Sequence, residues 1–145
     1  MDSSDRIIAE SKHATSIHIT IDADLEQLVM LRALAETIAL ITGFGVDEVD
    51  DLRVALDEAA TCLILGAVAS SQIHCDVVAD EFRIRVSVDA VCGDTEPVDE
   101  TGVGWHVLHS ITDHLVADHD PFDQARGGYP VAITFSRVRR LFADR

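Results

Sequence analysis

The sequence predicts an α+β two-layer sandwich, a mixed or antiparallel sheet with three helices on one face. Three observations predict it. Apolar residues alternate with polar ones in several short stretches, and they recur every three or four positions in longer ones. These stretches follow one another as strand, helix, helix, strand, strand, long loop, helix, strand, strand, with hairpins as the main link between strands.

Taken in order, residues 15–21 alternate, with Ile17, Ile19 and Ile21 on one side, which predicts a strand with one buried face. Asp22 or Asp24 suits the cap of the next helix, from about Leu25 to Thr42, whose core stripe is Leu28, Leu31, Ala35, Ile38 and Ile41 or Thr42. Gly43 and Gly45 end it. A second helix is expected from Val46 or Asp47 to Val68. Leu52, Leu56, Ala59 and Leu63 mark one apolar face, and Ile64 and Leu65 make its second half apolar almost all round, so it should be buried. Residues 72–79 read as a strand with Ile73, Cys75 and Val77 inward. Asp80-Glu81 turns the chain into a partner strand at 82–88, with Phe82, Ile84, Val86 and Val88 on one face and Arg83, Arg85 and Ser87 on the other. Residues 89–101 read as a long polar loop. A third helix opens at Gly102-Val103-Gly104 and runs to about Leu115, with a short strand at 114–119. The last strand, 129–137, turns Val131, Ile133 and Phe135 inward.

The chain of 145 residues is long enough for one domain with a proper core, expected over residues 15–145 after a flexible tail at 1–14. A net charge of −15 argues against direct binding to nucleic acid or an anionic membrane and suits a basic protein partner. Asp47, Glu48, Asp50, Asp51, Asp57 and Glu58 crowd one stretch, where acids also complement a helix start. Arg137, Arg139, Arg140 and Arg145 read as a solvated end of the chain. No charge-free apolar run approaches the roughly eighteen residues of a membrane span. The opening MDSSDRIIAESKH lacks the basic start and apolar core of a signal peptide, so a cytoplasmic location is expected. Cys62, Cys75 and Cys92 have neither disulfide-framework nor metal spacing and read as reduced thiols, so no metal centre is predicted from them. The histidines read as ordinary polar positions, with His18 and His74 on outward strand faces.

Three places carry chemistry. Glu58 sits in an apolar helical run, where an ionised carboxylate is costly unless paired, hydrated or working; Cys62 follows one turn later on the same face. A rim position with Asp57 beside it is the alternative. The second place is the run DAVCG from Asp89 to Gly93, at a strand end. The third is TGVGWHVL from Thr101 to Leu108, a glycine pair at a helix N-terminus, where free N–H groups and the helix dipole attract phosphate, or where a loop simply turns into a helix.

Together these motifs resemble the histidine-kinase-like (Bergerat) ATPase family, and within it the small serine-kinase anti-sigma factors of Gram-positive bacteria, of the SpoIIAB and RsbW type. The resemblance covers the chain from residue 15 onward in element order and motif order. In that branch the long helix reads roughly E-A-x-x-N-A-x-x-H; here Glu58 to Gly66 reads EAATCLILG. The family's D-x-G-x-G corresponds to the run from Asp89 to Gly93, and its G-x-G run entering a helix to Gly102-Val103-Gly104-Trp105. The resemblance implies that Glu58 is the general base and that Asp89 recognises the adenine amino group. It implies that Gly93, Gly102 and Gly104 shape the nucleotide pocket and lid, that Arg32 lies at a partner surface, and that ATP and Mg²⁺ are the cofactors. It also implies a homodimer formed through the sheet.

The departures set the expectation. Cys62 stands where the family's Asn holds magnesium, and a thiol is a soft ligand for an ion that wants oxygen. Val91 replaces the first glycine of the second motif, and Gly66 replaces the His. Losing the metal ligand removes the charge neutralisation on which phosphoryl transfer depends. The first reading is therefore an anti-sigma factor that sequesters an alternative sigma factor of the stress or sporulation type, is released by an anti-anti-sigma partner, and has weak or lost ATP binding, with Glu58 a relic base. The second is an active ATP-dependent serine protein kinase acting on the anti-anti-sigma factor. The third is a resemblance of fold alone, with another regulatory partner. On this mapping Cys62 and Cys92 both border the nucleotide site; a disulfide would need their Cα atoms within about 7 Å, and two reduced thiols are expected instead.

Overall fold

The computed structural model describes residues 14–139. The tail read over residues 1–14 falls outside them except for Ala14, as do Arg140 and Arg145. Strand β1 (Thr15–Asp22) leads through a single 3-10 turn (Leu25–Gln27) into helix α1 (Leu28–Ile41) and then helix α2 (Val46–Gly66). Strands β2 (Gln72–Ala79) and β3 (Arg83–Cys92) form a hairpin; helix α3 (Val103–Ile111) and strands β4 (His114–His119) and β5 (Tyr129–Val138) complete the fold. The five strands lie in the order β1-β2-β3-β5-β4, and every neighbouring pair is antiparallel. The expected α+β two-layer sandwich is thus the architecture found, with the sheet wholly antiparallel.

The period-two pattern explains the sheet's inner face. Ile73, Cys75 and Val77 of β2, Ile84, Val86, Val88 and Ala90 of β3, and Val131, Ile133 and Phe135 of β5 are all buried. Helix α2 presses on them with Leu52, Leu56 and Leu63, while the small side chains of Ala55, Ala59 and Ala60 allow close approach. Each large apolar side chain buried here contributes about 1.5–3 kcal/mol. Asp24 caps the first helical turn by accepting the Glu26 N–H at 3.0 Å.

Several sequence expectations are corrected. Ile41 is 71% exposed; Thr42 takes the inward position and its hydroxyl donates to the Ile38 carbonyl at 2.8 Å. Leu65 is 72% exposed, because two positions beyond buried Leu63 lies the opposite side of a helix, about 200° away. Phe82 belongs to the β2–β3 turn rather than to the inner face. The Asp80 N–H donates to the Arg83 carbonyl at 3.0 Å, and Asp80 Oδ1 accepts from the Phe82 and Arg83 amides at 2.7 and 2.9 Å, so the chain reverses through Glu81 and Phe82. Strand β3 continues to Cys92, through residues expected to be loop, and α3 stops at Ile111, where Thr112 ties its hydroxyl to the Leu108 carbonyl at 2.7 Å.

Two of the C-terminal arginines are not a solvated end. Arg137 continues the inward series Val131, Ile133, Phe135 and is 6% exposed. Its terminal nitrogens reach Asp51 Oδ2 of α2 at 3.1 Å and Asp113 Oδ2 of the α3–β4 turn at 3.5 Å, while its Nε has no partner among the described residues. Asp113 Oδ2 also accepts the Val138 N–H at 2.7 Å. Arg139 donates to the Glu81 carbonyl at 3.3 Å and lies against Gly43, whose positive φ of 88° suits a glycine at this helix end.

Gly128 allows the loop before β5 to touch the end of β3. A Cβ there would stand 2.6 Å from the Cys92 carbonyl oxygen and 2.7 Å from Val91 Cγ1. Backbone cannot swing aside as a side chain can, so Gly128→Ala is expected to destabilise the fold by about 2 kcal/mol. Urea unfolding would check this; an unchanged midpoint would mean that the loop relaxes freely.

Candidate functional site at the α2–α3 junction

Helix α2 carries Glu58 and Cys62 past the start of α3. The first turn of α3 has no acidic residue of its own, and its N-cap, Gly102, offers no side chain. Glu58 supplies that charge from α2: a Cβ on Gly104 would meet Glu58 Oε2 at 2.7 Å, so the glycine makes room for the carboxylate beside the positive end of the helix dipole. The structure therefore brings Glu58 and Gly104 together. Glu58 is half-buried, between the two positions the sequence left open.

The loop after β3 folds down on the second half of α2. Cys62 donates its thiol to the Pro97 carbonyl at 3.5 Å, and Val98 is buried in the core. Gly66 lets Pro97 approach: a Cβ on Gly66 would lie 3.0 Å from Pro97 Cβ and 3.6 Å from Cys92 Sγ. The Gly66 carbonyl accepts the Gly93 N–H at 3.0 Å, and the Val68 N–H donates to the Val91 carbonyl at 2.9 Å, so the ends of α2 and β3 are laced together. Asp99 Oδ1 accepts the Thr101 hydroxyl at 2.5 Å and its N–H at 3.0 Å just before Gly102. The Thr101 hydroxyl, and then its N–H, hold the Asp99 carboxyl below the usual range. Pro97 and Asp99 were missed by sequence reading; the D-E-T spacing, which favours a local side-chain-to-backbone turn, was the available signal for Asp99.

Asp89 is elsewhere. On β3 the residues facing the helices are Val88, Ala90 and Cys92, so Asp89 points to the open face of the sheet, paired in register with His74 and Ala132. Burial raises its pKa and Asp76 adds to that, while His74, Arg126 and His18 pull it down. There it joins a polar cluster in which His18 Nδ1 meets Asp76 Oδ1 at 2.5 Å and Thr20 Oγ1 meets His74 Nδ1 at 2.8 Å. The expectation that Asp89 shares a pocket with Glu58 is corrected by strand alternation. Gly93 lies at the mouth of the laced ends, and a Cβ on Gly102 would stand 3.1 Å from Asp99 Oδ2. Arg32 Nε donates to Asp57 Oδ1 at 2.6 Å, binding α1 to α2 one residue before Glu58.

The thiols are held protonated. Burial, then the Glu58 charge, raises Cys62. Burial, then Cys62 and Asp94, pushes Cys92 up to about 11, and burial, then Asp76 and Asp89, pushes Cys75 to about 12. Such thiols are poor nucleophiles, which supports the reduced state expected for them. In the unfolded chain they ionise near 9, as an ordinary thiol does, so the folded chain holds more protons between pH 9 and 11. Stability present below pH 9 is accordingly expected to fall as pH rises through this window, by up to about 1.4 kcal/mol per thiol per pH unit. Denaturant midpoints at pH 8, 9, 10 and 11 would check it, with a flat profile as the contrary result.

The donor set does not fit a magnesium nucleotide. The position facing Glu58 along α2 offers sulfur already bonded to Pro97, and the loop adds Asp94, Glu96, Asp99 and Glu100 with no Lys or Arg from 93 to 106. Among the described residues no group of three or more His, Cys, Asp or Glu is arranged to hold a metal ion, and no helix is long and apolar enough to cross a membrane.

A five-stranded antiparallel sheet layered with helices, a Glu-bearing central helix and a glycine pair opening the next helix form the arrangement that the resemblance to histidine-kinase-like anti-sigma factors implies. Comparison with known proteins supports this. The chain is 29% identical to the anti-sigma-F factor RsbW of Mycobacterium tuberculosis over 130 residues, which cover 90% of this chain and 77% of that protein. It is 25% identical to the serine-protein kinase RsbW of Bacillus cereus over 124 residues, covering 72% of this chain and 78% of the relative. The crystal structure of the RsbU and RsbW domains of a Mycobacterium tuberculosis protein matches with a TM-score of 0.62 at 17% identity, over 87% of this chain; the chain spans 33% of that longer one, and the likeness is one of fold. No family model matches. The chain is a relative of the RsbW anti-sigma factors.

Proposed function

We propose that the chain is an anti-sigma factor that binds and sequesters an alternative sigma factor and yields it to an anti-anti-sigma partner. The observation that carries this reading is the similarity, over 90% of the chain, to a protein named as an anti-sigma factor. The charge supports it: a chain at −15 is built to attract a basic protein surface, and its association should be fast and salt-sensitive. Arg32, partly exposed and paired with Asp57, lies on the α1–α2 surface assigned to the partner. A homodimer formed through the sheet belongs to the same reading.

ATP binding is weak or lost on this reading. Cys62, tied to Pro97 where the family has its magnesium-binding Asn, is the observation behind that, and Asp89 on the far face removes the expected adenine contact. The kinase reading keeps one point in its favour, the approach of Glu58 to Gly104 at the α3 N-terminus. Gly93 and Gly102 retain only a loop-shaping part.

Run-off transcription by polymerase loaded with each alternative sigma factor of the source organism tests the proposal. Added chain should abolish transcription from one sigma factor, and less effectively at high salt. Unimpaired transcription with all of them would refute it. Transfer of labelled phosphate from ATP to the anti-anti-sigma partner would instead establish the kinase.

A further inference from the structure

On the outer face of β5 the side chains are small: Ala132, Thr134 and Ser136. The flanking strands carry longer ones. Register places Arg85 of β3, Ser136 of β5 and His114 of β4 in one row across three strands, with Arg83 one pleat further along β3. The outcome is a trough floored by β5 and walled by β3 and β4, with a cavity of about 360 Å³.

Its chemistry differs from the rest of the molecule. In a chain of net charge −15, two arginines and a histidine line one concavity. Of the two acids at its rim, Asp113 is committed to Arg137 and to the Val138 N–H, and Asp118 lies two rows from Arg85, opposite Ala132. The Arg83 side chain makes no hydrogen bond or ion pair among the described residues. Arg85 has an interaction of its own, but a guanidinium carries five donors and keeps its charge. At the floor, Ser136 is only 5% exposed, and its hydroxyl forms no hydrogen bond among the described residues although the residue lines the cavity.

We propose that this trough is a binding site for a compact polyanion, a condensed phosphate or a polycarboxylate. Arg83 and Arg85 hold its charge, and the Ser136 hydroxyl donates to one of its oxygens. Planar guanidinium forks match both oxyanion types. The site is on the opposite face of the sheet from Glu58 and Gly104, so it is independent of the nucleotide question. Any anion that this chain retains belongs on the sheet and not in the acid-lined α2–α3 junction.

The test titrates the full chain with pyrophosphate and, separately, with citrate, by calorimetry and by amide NMR shifts. Saturable binding by at least one, with shifts centred on Arg85, His114 and Ser136, is expected; the arm that binds more tightly names the chemistry. Arg83→Gln and Arg85→Gln should each weaken it at least tenfold. Ser136→Ala, which leaves the charges in place, should weaken it several-fold. Circular dichroism would confirm that each variant is folded. Absence of saturable binding up to 10-fold above typical metabolite levels of about 1 mM, binding indifferent to all three variants, or shifts centred on α2 and α3 would overturn the proposal.

Discussion

Titrated with ATP and Mg²⁺, the wild-type chain is expected to give no saturable heat at sub-millimolar nucleotide, and Cys62→Asn to recover part of the binding. The expectation rests on charge. A magnesium triphosphate at the α3 N-terminus would meet Glu58 and Asp99, beside a loop that also carries the exposed acids Asp94, Glu96 and Glu100, with no basic residue among positions 93–106 to offset them. A divalent ion would have to do all the neutralising, and the thiol that faces it is neutral, soft and bonded to Pro97. An Asn at 62 can give its amide N–H₂ to the Pro97 carbonyl and turn its oxygen toward the metal. Recovery is expected to be partial because Pro97 and Val98 still lie on α2 and Asp89 still faces away. A rise of about 10-fold to 100-fold in affinity, roughly 1.4–2.8 kcal/mol, is expected for the variant. Tight, magnesium-dependent binding by the wild type would put the kinase reading first.

Arg137→Ala is expected to cost about 3 kcal/mol of folding stability and to lower the melting temperature by roughly 10 °C. Arg137 touches α2 through Asp51 and the α3–β4 turn through Asp113, and belongs to β5 through its own backbone. Removing it leaves two carboxylates facing a cavity. Each is more than a third exposed and able to hydrate, which holds the loss below that of a fully buried charge. Arg137→Met, similar in length and free of charge, should cost less than the alanine. Since the Nε is already without a partner, part of the native burial is a liability that methionine removes. Thermal and urea unfolding of the two variants decide it; equal stability of Arg137→Ala and wild type would show that the clasp contributes nothing.

Much of this was legible in the sequence. Every strand and helix appears in the expected order, because alternation and three-to-four spacing report directly on which face is buried. The differences share a cause: a local signal points one way and the alternation of the strand points the other. The D-x-x-x-G run suggests a pocket acid at Asp89, although Ile84, Val86, Val88, Ala90 and Cys92 assign it to the other face. Charge alone suggests a solvated Arg137, although it follows Phe135 by two and so faces inward. Its apolar side chain suggests an inward Phe82, although Asp80 is a strong turn former. Leu65 was buried by composition and exposed by helix geometry. What no pattern announced was the packing of Pro97 on Gly66, which depends on a loop returning to a helix some thirty residues earlier in the chain.

The place of β1 at the sheet edge has a consequence for how the molecule opens. β1 is bonded to β2 alone, and the chain between the paired residues Asp22 and Gln72 makes the whole α1–α2 hairpin. Closing so long a loop costs entropy that β1 recovers from a single neighbour and from side chains that, Ile21 apart, are only half-buried at best. Its amides should therefore exchange with solvent by release of the strand as a unit, at a free energy below that of global unfolding. Each such release would bare the edge of β2, so the sheet's stickiness toward other chains would be set by how often β1 lets go.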